Sequence, residues 1–109
     1  MGDGAAGYHL AEFETAVRHN LGFIAVIGND ARWGAEWHLQ ADRYGPDRTF
    51  DTDLTPARYD LAAAGFGARG FHAENVEEFT RALAAAAGLA VPACIDVHIQ
   101  SVRSPSAPP

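Results

Sequence analysis

Between residues 6 and 21, apolar side chains recur at three- and four-residue steps, at Leu10, Phe13, Val17 and Leu21. That period predicts one amphipathic helix packed on a sheet, with Gly22 as its stop. Phe23-Ile24-Ala25-Val26-Ile27 follows without polar alternation, so it predicts a strand covered on both faces and hence a parallel sheet. Residues 29–32 read as a loop, 33–43 as a helix, and 44–55, with Gly45-Pro46-Asp47, as a second loop. Pro56 suits the first turn of a helix running to about residue 64, with Thr55 as its cap.

Three glycines, Gly65, Gly67 and Gly70, punctuate the next stretch, and 70–73 predicts a short strand. Asn75 with Glu78 three residues on resembles a capping box. It opens a helix carrying Val76, Phe79, Leu83 and Ala86 and ending near Gly88. Residues 93–99 alternate, which predicts a strand with Ala93, Ile95, Val97 and Ile99 on one face. The expected order is α, β, α, α, β, α, β: an α/β fold with a parallel sheet and flanking helices. Residues 1–101 form its body, and the Ser- and Pro-rich 102–109 is expected to be a disordered tail.

Composition narrows the function classes. At 109 residues the chain holds at most one domain. A net charge of −6 argues against nucleic-acid binding by phosphate neutralisation. The apolar runs are too short for a membrane helix. A single cysteine, Cys94, excludes an internal disulfide and is expected to be an inert small hydrophobe. These features lead to the expectation of a cytoplasmic protein. His9, His19, His38, His72 and His98 show no metal-ligand spacing.

The chemistry concentrates in two polar turns that bracket the first helix and strand: Gly2-Asp3-Gly4, and Asn29-Asp30 after Gly28. Their order puts both turns at one edge of a β-α-β unit, beyond strand ends and at a helix start, where open α/β sheets take phosphorylated ligands. Asp3 and Asp30 can each offer an oxygen to a hard divalent cation. A Gly-rich turn of this kind follows a strand, and only Met1 precedes Gly2, so a piece of a larger protein is expected. Trp33 and Trp37 share a helical face, suited to a neighbouring domain or to the core.

The turns, together with Glu12-Phe13-Glu14-Thr15-Ala16-Val17-Arg18, Trp33-Gly34, Tyr44-Gly45-Pro46 and Pro92-Ala93-Cys94-Ile95, resemble the C-terminal thiamine diphosphate-binding domain of acetolactate synthase-like and benzaldehyde lyase-like enzymes. The resemblance implies a partial thiamine diphosphate-binding fold lacking its N-terminal strands. It also implies thiamine diphosphate and Mg²⁺ as cofactors, bound by Gly2, Asp3, Gly4, Ala5, Asn29 and Asp30. The metal would be held by Asp3, Asp30 and the backbone carbonyl of Arg32. No catalytic residue is expected here, because the family's activating glutamate lies in a different domain.

Two positions depart from the family: Asp30 stands where Asn is usual, and Ala5 where Ser is frequent. The implied partners are the remaining domains of such an enzyme, in the same gene or as a separate chain, with a homo-oligomer when complete. The implied activity is that of a lyase, decarboxylase or transferase-type synthase acting on 2-oxo acids or on carbon–carbon bonds beside a carbonyl, with this chain inactive alone. The residues alone also leave open a non-catalytic α/β interaction module or a truncated, inactive product.

Overall fold

A computed structural model describes residues 1–103. Its elements are α1 (Asp3–His9), α2 (Glu12–Arg18), β1 (Ile24–Asn29), α3 (Gly34–Tyr44), a 3₁₀ turn (Pro46–Arg48), α4 (Tyr59–Gly65), β2 (Arg69–Ala73), α5 (Val76–Ala87) and β3 (Ala93–His98). The three strands are parallel in the order β1-β3-β2. All three carboxyl ends therefore open onto one edge.

Helices cover both faces, as the apolar run in β1 requires. On one face Ala6, Phe13, Tyr59 and Ala63 pack on Ile27 and Cys94. On the other, Ala82 and Ala86 of α5 pack on Ala93 and Ile95, with Ile24, Val26, Phe71 and Phe79 around them. The alternation expected for β3 is therefore incomplete: residues 93–96 are buried on both sides, Cys94 and Asp96 included. The face predicted to be polar lies under α4.

Three further expectations are corrected. The first helix begins at Asp3 rather than Ala6 and is split. Leu10 and Ala11 stay right-handed, but the ladder tightens there to i→i−3 bonds from Phe13 and Glu14. Asn20, not Gly22, stops α2. At φ 55° Asn20 adopts the left-handed conformation, and Leu21 N–H donates to Ala16 O at 2.9 Å, closing the helix end.

The helix expected from Pro56 with a Thr55 cap starts only at Tyr59. Residues 56–58 are tied elsewhere: Ala57 O accepts from Asn29 Nδ2 at 2.8 Å, and the Arg58 guanidinium forks onto both Asp60 carboxylate oxygens at 2.8 Å each.

The Asn75 cap is present, with Glu78 N–H donating to Asn75 Oδ1 at 2.9 Å, but the return bond of the expected capping box is shifted by one residue: Glu78 Oε2 accepts from Glu74 N–H, not from Asn75 N–H. Of the expected tail, Val102 and Arg103 are irregular, and Arg103 pairs with Asp42 on α3. Residues 104–109 lie outside the described residues.

Candidate functional site

Met1 and Gly2 run beside the end of β1: Gly28 N–H donates to Met1 O at 2.9 Å, and Gly2 bridges Gly28 in parallel. The chain then turns directly into α1. This pairing delivers Asp3 to the carboxyl edge of the sheet, next to the loop that leaves β1.

Gly2, Asp3, Gly4, Ala5, Asp30 and Arg32 all line one cleft of about 470 Å³. Asp3 is only 2 % exposed. Its Oδ2 accepts from the Arg32 amide at 3.2 Å. Burial pushes its carboxyl above the usual carboxylate range. The Gly4 amide pulls the other way, Asp30 adds like-charge repulsion, and the Arg32 amide offsets part of it. Asp30 Oδ2 lies against the start of α3, where a Cβ on Gly34 would stand 3.2 Å away.

Trp33 forms the wall. Its indole sits so close to Gly4 that a Cβ there would meet Cε3 at 2.8 Å, and the Tyr8 ring packs against it at a tilt, with centroids 5.5 Å apart. A glycine is therefore required on the α1 side. Trp33 precedes α3 rather than lying within it, so Trp33 and Trp37 serve different neighbours. Trp37 lies under the Arg32 guanidinium at 4.6 Å, and Arg32 in turn pairs with Asp53 at 2.6 Å. Both tryptophans are half-buried within the chain itself.

Asn29 is not brought to this cleft. Its Nδ2 donates to Ala57 O and, at 3.0 Å, to Asp96 Oδ1, while its Oδ1 accepts from the Ala31 amide at 3.1 Å. It works as a clamp on the other side of the sheet edge. Arg32 contacts Asp3 through its amide; the expectation concerned its carbonyl.

The two carboxylates at one cleft, one of them buried and made harder to ionise by the other, suit a divalent cation that offsets both charges. No other expected ligand is needed to build that pair.

Sequence reasoning missed a second polar cluster. His72 and Asp96 are register partners on β2 and β3, and Asp60 of α4 lies beside them. None shares a motif with another, because each comes from a different element. Tyr59, 9 % exposed, has a hydroxyl whose pKa is raised by burial first and then by the negative charges of Asp3 and Asp96.

Residues 1–97 match the family described as "Thiamine pyrophosphate enzyme, C-terminal TPP binding domain". Over 70 residues, 64 % of this chain, it is 46 % identical to 2-hydroxyacyl-CoA lyase 2 of Mus musculus. Over 98 residues, 89 % of the chain, it is 36 % identical to the acetolactate synthase large subunit of Mycobacterium tuberculosis. The chain spans 11 % and 18 % of the length of those two relatives. Its fold superposes with a TM-score of 0.86 on the thiamine diphosphate-dependent 4-hydroxybenzoylformate decarboxylase of Rhodococcus jostii, at 25 % identity, covering 95 % of this chain and 20 % of that one. The chain belongs to the thiamine pyrophosphate enzyme family, whose C-terminal cofactor-binding domain its first 97 residues match.

Proposed function

We propose that this chain anchors the diphosphate end of thiamine diphosphate through Mg²⁺ held at Asp3 and Asp30, with the Arg32 backbone beside them. Family membership supports the cofactor. The observation that carries the metal is the burial of the Asp3 carboxyl in a cleft that it shares with Asp30. The cofactor, when bound, supplies carbanion stabilisation at its thiazolium ring. This chain binds and orients: Asp3 is fixed by the Arg32 amide, Trp33 walls the cleft, and Gly4 leaves room for that wall.

Ala5 is exposed at the cleft and keeps its amide for a phosphate oxygen. The enzyme completed by further domains would act on 2-oxo acids or on carbon–carbon bonds beside a carbonyl, as a lyase, decarboxylase or synthase, with this chain inactive alone.

Calorimetric titration with thiamine diphosphate, with and without Mg²⁺, tests the assignment on the chain joined to the rest of its enzyme. Asp3→Ala and Asp30→Ala should each abolish metal-dependent binding. Asp30→Asn should preserve it, because the amide oxygen remains a ligand. Unchanged affinity in both alanine variants overturns the assignment.

A further inference from the structure

Asp96 is fully buried, and its two carboxylate oxygens have different fates. Oδ1 accepts from Asn29 Nδ2 at 3.0 Å. Among the described residues Oδ2 has no hydrogen-bond partner; it faces His72 Nδ1, an atom likewise buried and unpartnered there, at 3.6 Å. On the other side of the imidazole, Nε2 faces Glu74 Oε1 at 3.5 Å. The close approach of Nδ1 and Oδ2 thus leaves both buried atoms without a hydrogen bond among the described residues. Buried polar atoms are almost always satisfied, so a proton or a cation belongs in that gap.

A third donor decides between the two. One ligand atom each of Asp60, His72 and Asp96 lie within 4.8 Å of one another. Arg58 fixes Asp60 in place, yet each Asp60 oxygen keeps a second lone pair. The local charge favours a cation too: Asp60, Glu74 and Asp96 carry three negative charges against the single positive charge of Arg58. Ligands of a tetrahedral ion at about 2.0–2.1 Å stand roughly 3.3–3.5 Å apart, close to the His72–Asp96 separation. A cleft lined by Asn29, Pro56, Arg58, His72, Glu74 and Asp96 opens beside the cluster.

The geometry points to a second divalent-metal site, formed by Asp60, His72 and Asp96 and separate from the Asp3–Asp30 cleft. The nitrogen donor among two carboxylates selects a zinc-type transition ion over Mg²⁺ or Ca²⁺, which take all-oxygen shells. Glu74 is the outer carboxylate that orients the histidine, as metal-bound imidazoles require. The site stands independently of the proposed diphosphate anchor.

Titration of the full chain with Zn²⁺ against a chromophoric chelator, without Mg²⁺ or thiamine diphosphate, reads this site. One tightly bound ion per chain is expected at this site, apart from any weaker uptake by the Asp3–Asp30 cleft. Affinity should fall at least about tenfold in His72→Ala and in Asp96→Asn, and stay unchanged in Asp3→Asn. Because Asp96 is wholly buried, Co²⁺ loading gives a second reading through its visible spectrum. The bands of an imidazole-ligated tetrahedral ion should vanish in His72→Ala, a position partly open to solvent. No Zn²⁺ binding, binding that both variants retain, or binding lost in Asp3→Asn would each overturn the site.

Discussion

Asp3 and Asp60 are both buried carboxylates, yet they tilt the pH dependence of stability in opposite directions. Burial raises the Asp3 pKa above its unfolded value. Its contribution to stability is therefore complete below about pH 3.8 and is lost as pH rises through the raised folded value. Asp60 is held below the usual range by the Arg58 hydrogen bonds. It contributes above the unfolded value, and that contribution disappears as pH falls through the depressed folded one. Urea unfolding without metal should accordingly show Asp3→Asn more stable than the parent chain at pH 7, with the gap closing towards pH 4. A gap that widened on acidification would contradict the burial argument.

Cys94 gives a second test at this scale. It is fully buried in the core, and its thiol is pushed up to about 12, by burial first and by Asp96 and Asp60 after it. A disulfide-exchange reagent at pH 8 should leave the folded chain unmodified and react promptly once urea unfolds it.

At the level of elements, the Asn75 cap is the most legible local signal, because its chemistry lies within four consecutive residues. Asn75→Ala should destabilise the chain by about 1 kcal/mol, measured by urea denaturation, with α5 fraying first by hydrogen exchange. Strand β1, helix α3 and helix α5 were readable for the same reason: period, cap and stop are local. The start of α4 was not. Pro56 is a sound helix opener, but Asn29 and Arg58 hold that segment extended through contacts that no spacing rule contains.

The site divides the same way. Asp3, Asp30 and their glycines sit in short motifs and were legible. Asn29 is their sequence neighbour and yet faces Asp96, because successive strand residues point to opposite sides. The His72–Asp96 pairing needs the strand order β1-β3-β2, which periodicity does not give.

At the level of the whole molecule, the outer edge of β1 is paired, among the described residues, only by Met1 and Gly2, and an apolar groove lies beside it between Leu10, Phe13, Phe23 and Ala25. An open strand edge over an apolar groove invites pairing with another chain. The purified 109-residue chain should associate, with light scattering rising with concentration; a monomer across the whole range would show the edge to be self-sufficient.

The strand order carries one more consequence. β1 and β2 never touch; each bonds only to β3, which is last in the sequence. During synthesis at roughly 5–20 residues per second, β1 waits about 3–13 s for its partner to be made. Through that interval β1 cannot make its pairing with β3, however the helices between them form. A slower pace of translation lengthens that wait in proportion.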